Sequence, residues 1–148
     1  MIGSPAGDPK FVRAVGAAGM AAYGITKAAA LVATTKYALT LKDEGFAVIS
    51  LSPGVVDVLE TAGVEEARTF YSYPAHWDDN VFTGHDDAGR EGAHAGLQQL
   101  VDVFTAAGYP MKVQSPEQSV AAQLKVIDGL TTAQNGAFLT ETGAEWGA

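Results

Sequence analysis

Residues 20–54 read MAAYGITKAAALVATTKYALTLKDEGFAVISLSPG. The part from about Met20 to Glu44 is rich in Ala, Leu, Lys and Thr, contains no proline and is followed by Gly45, which suits a helix C-cap. Two apolar rows follow at helical spacing: Ile25, Ala29 and Val32, and then Leu31, Thr35, Ala38 and Leu41. These rows predict a helix that is buried on more than one side.

The residues after this helix predict an α/β fold. Phe46 to Leu51 is a short apolar run closed by Ser-Pro-Gly, which indicates a buried strand, and the helix before it favours a parallel sheet. The rest of the chain adds an irregular aromatic excursion from Val55 to Gly92, a helix from about 92 to 107, a helix capped at Ser115 and running to about 130, and a strand at 136–140.

Composition narrows the function. The 148 residues suit one domain, and 47% of them are hydrophobic. Seventeen acidic residues against nine basic ones give a net charge of −8, which disfavours binding to nucleic acid and to acidic membrane surfaces. With no cysteine, disulfides and thiolate chemistry are excluded. The first residues show no secretory signal pattern, so we expect a cytoplasmic protein.

Tyr23 and Lys27 form the strongest candidate site. Residues four apart share one face of a helix. A free phenol has a pKa of about 10, and a neighbouring ammonium favours its ionised form, which makes a tyrosine usable as an acid or base. Such a pair suits proton transfer to or from an alcohol or carbonyl oxygen. The spacing alone is also met by an ordinary tyrosine beside a solvated lysine.

The surroundings of this pair carry a family resemblance. Residues 21–29 resemble the active-site helix of short-chain dehydrogenases/reductases, in which small residues surround Tyr-x-x-(Ser/Thr)-Lys. Residues 49–57 resemble the family's next landmark, a strand that runs into Pro-Gly-x-Val. The tail from Val126 to Trp146 is similar to small fungal and bacterial members grouped with norsolorinic acid ketoreductase and the C-factor-like proteins. The resemblance implies an NAD(P)-dependent oxidoreductase of the ketoreductase type, interconverting a carbonyl and an alcohol.

The resemblance also implies residue roles. Tyr23 would give a proton to the carbonyl oxygen during reduction and take it back during oxidation. Lys27 would stabilise the ionised tyrosine and hydrogen-bond the nicotinamide ribose. Ser4 is the candidate for polarising the substrate oxygen, although a turn serine before a proline is an equal alternative. Pro53, Gly54 and Val56 would form the wall of the site that binds the nicotinamide of NAD or NADP. The family's usual threonine after this wall is replaced by Val58.

The glycine-rich cofactor fingerprint of a Rossmann fold is not found in the sequence. We therefore interpret residues 1–148 as a partial NAD(P)-binding domain, the C-terminal half of a Rossmann-like, doubly wound parallel sheet. On this interpretation the chain is truncated, binds NAD or NADP weakly by itself, and is weak or inactive alone.

Two other functions stay open. A pseudoenzyme or interaction fragment would keep the 20–44 helix, through which we also expect homo-oligomers. A metal site would use hard and borderline ligands of one segment: His76, Asp78, Asp79, His85, Asp86, Asp87 and His94. Within a substrate loop at about 62–114, the aromatic residues from Phe70 to Phe82 would cover a hydrophobic or aromatic substrate, or else hold down a long loop.

Overall fold

A computed structural model describes residues 1–58 and 87–147 of the chain. In this part of the chain the fold combines helices with very short parallel strands, which agrees with an α/β class. The helices are α1 (Pro9–Val15), α2 (Ala21–Leu41), α3 (Asp87–Ala106) and α4 (Pro116–Asp128). The strands are β1 (Ser50–Leu51), β2 (Val55–Val56), β3 (Val113–Gln114) and β4 (Phe138–Leu139).

The predicted parallel sheet is confirmed, although its strands are shorter than the predicted Phe46–Leu51 and 136–140. Strand β1 pairs with β4 in parallel, with Ser50 opposite Phe138 and Leu51 opposite Leu139. On the other edge of β1, Ile2 forms a parallel bridge to Leu51. The order across this sheet is therefore the Met1–Gly3 segment, then β1, then β4. Because parallel segments end at the same edge, the residues that follow all three lie at one edge of the sheet.

A second small sheet pairs β2 with β3, also in parallel. The sequence did not predict either strand, because two-residue strands carry no periodicity. Both are covered by α3, which places Leu97, Leu100 and Val101 against Val55. A separate cluster joins the first sheet to α4 and the loop after it, with Ile49, Leu51 and Leu139 buried beneath Val126 and Leu130. Each fully buried Leu or Ile contributes about 1.5–3 kcal/mol relative to an exposed one.

Helix α2 is the element that the sequence predicted least accurately in its packing. Its bounds and its end agree with the prediction, since a short 3-10 turn (Lys42–Glu44) follows it and Gly45 takes φ 78°. The predicted burial on more than one side is wrong: within α2 only Thr34 and Ala38 are buried, whereas Ile25 is 69% exposed and Val32 is 56% exposed. Alanines lie all around this helix, so the sequence pattern does not single out the face that packs.

The start of α4 matches its prediction. Ser115 accepts a hydrogen bond from the Gln118 amide and the Gln118 side chain accepts one from the Ser115 amide, which completes a capping box. The Ser115 hydroxyl also donates to Glu117, and this bond lowers the pKa of that carboxyl from its ordinary value. Helix α3 begins five residues before the predicted helix. Helix α1 was not predicted, although the sequence carries its signal: Asp8 caps it and Pro9 occupies its first position.

The C-terminal segment packs against the N-terminal one through aromatic side chains. Trp146 stacks on Tyr109, with 5.2 Å between ring centroids, and meets Phe11 edge to face at 5.5 Å. Its indole N–H donates to the Asp8 carboxylate at 3.0 Å. Asp8 is also the cap of α1, so the tail holds the segment that directly follows Ser4.

Among the described helices, none has both the length and the hydrophobicity to cross a membrane. Residues 62–86 of the predicted substrate loop (62–114) lie outside the described residues. Beyond position 86 this loop contains α3 and β3.

Candidate active site

The first turns of α2 bring Tyr23 and Lys27 together. The Lys27 ammonium lies 5.4 Å from the centroid of the Tyr23 ring, and both side chains are half-buried. The same ammonium donates to the Ile2 carbonyl at 3.3 Å. Lys27 therefore connects the tyrosine to the last residues of the first parallel segment.

Ser4 follows that segment and begins a tight turn, the Ser4 turn (Ser4–Gly7). Its hydroxyl oxygen accepts from the Ala6 amide at 3.2 Å and caps the 3-10 turn Pro5–Gly7. This is the turn-serine geometry that the sequence allowed. A hydroxyl that accepts one bond still has its own proton to donate, so the capping contact and a role toward substrate are compatible.

The Ser4 turn packs against α2 beside the Tyr–Lys pair. A Cβ at Gly7 would lie 2.6 Å from the carbonyl carbon of Lys27 and 2.6 Å from the Ala28 nitrogen. A Cβ at Gly24 would lie 2.9 Å from the Ala6 carbonyl oxygen. The two glycines thus allow backbone-to-backbone contact, which brings the turn that carries Ser4 onto the helix that carries Tyr23.

The residues after β1 form a second turn at the same edge, the Pro53 turn (Ser52–Gly54). The Ser52 amide donates to Leu139 at 2.8 Å, which joins the turn to β4. Gly54 has φ 77°, a conformation that favours glycine, and its amide donates to the Ser52 hydroxyl at 3.3 Å. Val56 then enters β2, where it pairs with Gln114.

The space that a side chain at position 54 would occupy is already filled. A Cβ there would lie 2.5 Å from Gln114 Nε2 and 3.1 Å from the Glu141 carboxyl carbon. Among the described residues, this Nε2 is buried and has no hydrogen-bond partner. Such a donor is costly unless it meets an acceptor, and a carboxamide or ribose oxygen at the Pro53 turn would supply one. Lys27 bonds to Ile2, which forms a bridge to Leu51, the residue directly before this turn. With these groups, the residues present fit the nicotinamide end of a dinucleotide.

Asp57, which follows Val56 in the chain, contacts a histidine of α3. His94 of α3 lies 3.0 Å from the Asp57 carboxylate, measured from its Nδ1 atom. In the described ranges, no group of three or more His, Asp or Glu side chains is placed to hold a metal. Most of the predicted metal ligands lie outside those ranges: His76, Asp78, Asp79, His85 and Asp86.

An open groove of about 520 Å³ lies away from these residues, between α2 and the segment before β4. Its lining includes Ala38, Lys42 and Asn135, but none of Ser4, Tyr23 and Lys27. The groove is therefore not the candidate active site.

Comparison with curated proteins points the same way as the motifs. The chain is 33% identical over 143 residues to a protein named short-chain dehydrogenase/reductase atnB, from Arthrinium sp. The similarity takes in 96% of this chain and 44% of the relative, so the chain spans less than half of the relative's length. No family model matches the chain. The chain is thus similar, along nearly its whole length, to part of a short-chain dehydrogenase/reductase.

Sequence reasoning missed the side chains that surround the Pro53 turn. Gln114 lies in a strand too short to predict, and its approach to Gly54 spans 60 positions of the chain. The sequence does carry a signal at Ser119, because a serine on the inward face of an amphipathic helix needs a hydrogen-bond partner. Nothing local identifies that partner, which is the Pro53 carbonyl.

Proposed function

We propose that this chain carries the proton-transfer end of an NAD(P)-dependent oxidoreductase that interconverts a carbonyl and an alcohol. One observation carries the proposal: the Lys27 ammonium lies 5.4 Å from the Tyr23 ring on a helix against which the Ser4 turn packs. The similarity to a short-chain dehydrogenase/reductase supports it at the level of the family.

In this proposal Tyr23 donates its phenolic proton to the substrate oxygen as the carbonyl becomes an alcohol. The positive charge of Lys27 favours the phenolate that remains. The Ser4 hydroxyl donates a hydrogen bond to the same oxygen and so holds the carbonyl in place. In the oxidation direction the Tyr23 phenolate accepts the proton from the alcohol, and the same residues act in reverse.

The cofactor, NAD or NADP, supplies or accepts the hydride when it is bound. Lys27 would bind its nicotinamide ribose, and the wall beside the ring would be formed by Pro53, Gly54 and Val56. The sequence has no glycine-rich turn for the pyrophosphate, which in a Rossmann fold provides much of the affinity. We therefore expect this chain to bind either dinucleotide no tighter than about millimolar, or ~4 kcal/mol.

For the substrate we propose a hydrophobic or aromatic carbonyl compound. The motivation is the aromatic-rich sequence between Phe70 and Phe82, which lies outside the described residues. We further propose a cytoplasmic location, for which the absence of cysteine is the supporting feature.

A second function is favoured by the surface of α2. Ile25, Ala29, Val32 and Leu39 form an exposed row, the α2 apolar row, in which Ile25 is 69% and Leu39 65% exposed. Ile25, Ala29 and Val32 adjoin on this face, and the exposed Lys36 lies between Val32 and Leu39. Apolar side chains grouped on one face of a helix mark contact sites. We propose that the α2 apolar row pairs two copies of the chain. As a non-catalytic interaction module, the chain would keep this pairing and show no cofactor binding.

Cofactor binding separates the two functions. The 148-residue chain, labelled for NMR, is titrated with NADH, NADPH and reduced nicotinamide mononucleotide. The enzyme proposal predicts saturable shifts at Lys27, Gly54 and Val56, with similar affinity for the mononucleotide and the dinucleotides. An absence of shifts up to about 10 mM, some tenfold above the expected constant, would favour the interaction module.

A further inference from the structure

A buried hydroxyl of α4 reaches the Pro53 turn. Ser119 is 2% exposed, and its Oγ donates to the Pro53 carbonyl at 2.8 Å. Helical hydroxyls commonly return their proton to a carbonyl one turn earlier in their own helix, as Thr34 and Thr35 of α2 do. Ser119 instead directs its proton to a turn 66 positions away in the chain.

Gln123 supports that bond. Its amide nitrogen donates to the Ser119 hydroxyl at 3.0 Å and to the Ser119 carbonyl at 3.2 Å. A serine hydroxyl has a single proton, so an oxygen that accepts from Gln123 is left to donate toward Pro53. The two bonds run in one direction, from Gln123 through Ser119 to Pro53, and each polarises the next.

The Pro53 carbonyl is not held by the turn's other contacts. Within the turn, the Gly54 amide bonds to the Ser52 hydroxyl. Toward β4, the Ser52 amide bonds to Leu139. The peptide between Pro53 and Gly54 is therefore held at two points, with its N–H bonded to the Ser52 hydroxyl and its carbonyl bonded to the Ser119 hydroxyl.

We infer that Ser119 and Gln123 are positioning residues, which hold the Pro53 carbonyl and thereby orient the Pro53 turn toward the nicotinamide end of the cofactor. What the turn binds rests on the proposed function. The hydrogen-bonded chain itself stands on its distances and on the burial of Ser119.

The sharpest variant is Gln123→Glu. A carboxylate only accepts, so it draws the Ser119 proton away from Pro53 without changing the size of the side chain. Protonation restores a donor at position 123. The Pro53 carbonyl resonance of this variant should therefore approach that of the unmodified chain as pH falls from neutral toward the carboxyl pKa. That pKa is about 4.3 for an unperturbed glutamate. Ser119→Ala removes the bond at every pH.

Gln118→Glu is the matched control. It makes the same substitution on the same helix and adds the same charge. Gln118 acts as an acceptor in the capping box, a role that glutamate also fills, so the helix start is kept. A purely electrostatic or structural effect of a new glutamate on α4 would appear in this variant too.

Two measurements are made on each variant of the 148-residue chain: the ¹³C resonance of the Pro53 carbonyl, and the affinity for reduced nicotinamide mononucleotide. We expect Ser119→Ala and Gln123→Glu to move the carbonyl resonance upfield and to weaken binding about threefold or more, with Gln118→Glu matching the unmodified chain. An unmoved resonance in Ser119→Ala would overturn the inference, as would a moved resonance with unchanged affinity. If the unmodified chain shows no response to the mononucleotide, the proposed function fails, while the carbonyl resonance still decides whether Ser119 and Gln123 hold Pro53.

Discussion

Gly7 lies directly against the backbone of Lys27, so closely that a Cβ at Gly7 would be 2.6 Å from the Lys27 carbonyl carbon. Real Cβ atoms do not approach a backbone atom to that distance. The glycine is therefore what lets the Ser4 turn rest on the helix that carries Tyr23 and Lys27. This contact links the packing of the N-terminal segment to the geometry of the candidate active site.

Gly7→Ala should weaken both folding and catalysis. The methyl group would meet main-chain atoms of Lys27 and Ala28, which cannot rotate away, so we expect a loss of about 1–3 kcal/mol in the free energy of unfolding. Denaturant unfolding followed by circular dichroism measures this loss. As the control, Gly129→Ala places its methyl at an ordinary 3.5 Å from a carbonyl oxygen and should change stability by no more than about 0.5 kcal/mol. Equal effects of the two variants would mean that the Ser4 turn does not pack closely on α2.

Lys27→Met should weaken cofactor binding as well as turnover. Methionine keeps much of the apolar stem, so the change removes mainly the ammonium, which bonds to Ile2 and is proposed to bind the ribose. Hydrogen bonds to charged groups contribute about 1.5–3 kcal/mol, so we expect affinity for reduced nicotinamide mononucleotide to fall by about tenfold or more. Lys36→Met, an exposed position on the same helix, is the control and should bind normally. A loss confined to turnover would contradict the ribose contact.

Ser50→Ala should leave the protein as stable or make it more stable. The Ser50 side chain is fully buried, and its hydroxyl has no hydrogen-bond partner among the described residues. Removing an unsatisfied hydroxyl relieves a desolvation cost, so we expect a gain of up to about 1 kcal/mol. Ser119→Ala is the same change at a hydroxyl that has partners and should cost about 1–3 kcal/mol. If Ser50→Ala were as destabilising as Ser119→Ala, Ser50 would have a partner that the fold does not show.

Val32→Glu tests the α2 apolar row. A carboxylate at this 56% exposed position would have to be desolvated in any contact between two copies. We expect the chain to sediment as a dimer or larger species and the variant to sediment as a monomer, with similar helix content. Thr40→Glu adds the same charge to the same helix outside the row and should still associate. A chain that is monomeric at all concentrations would rule out pairing through the α2 apolar row.

The sequence predicted the elements that carry their own local signals. The glycine after α2 and the capping box of α4 mark those helices from residues within one turn, and apolar runs mark β1 and β4. It did not predict which side of α2 packs, because alanine is compatible with burial and exposure alike. The fold buries Ala38 and leaves Ile25 in solvent, because α2 packs against the Met1–Gly7 segment and the sheet.

The residues of the candidate site also divide into those that local sequence predicts and those that it does not. Tyr23 and Lys27 were predictable because helical spacing alone places them together. The support of the Pro53 turn was not, because Ser119 and Gln114 approach it from distant parts of the chain. A sequence motif therefore located the groups proposed to do the chemistry, whereas the residues that hold them in place became visible only in the fold.

The most direct test of the central claim is Tyr23→Phe, assayed as alcohol formed from a panel of aromatic and aliphatic ketones at millimolar NADH or NADPH. Phenylalanine keeps the ring and removes only the phenolic proton. General acid catalysis contributes about 10²–10⁴-fold, so we expect product formation to fall by at least about 100-fold, while mononucleotide affinity stays within about twofold of the unmodified chain. Product formation by Tyr23→Phe within about threefold of the unmodified chain would contradict the assignment of Tyr23 as the proton donor. No product from the unmodified chain would contradict catalysis by these 148 residues alone and would match the inactive form of the truncated-domain interpretation.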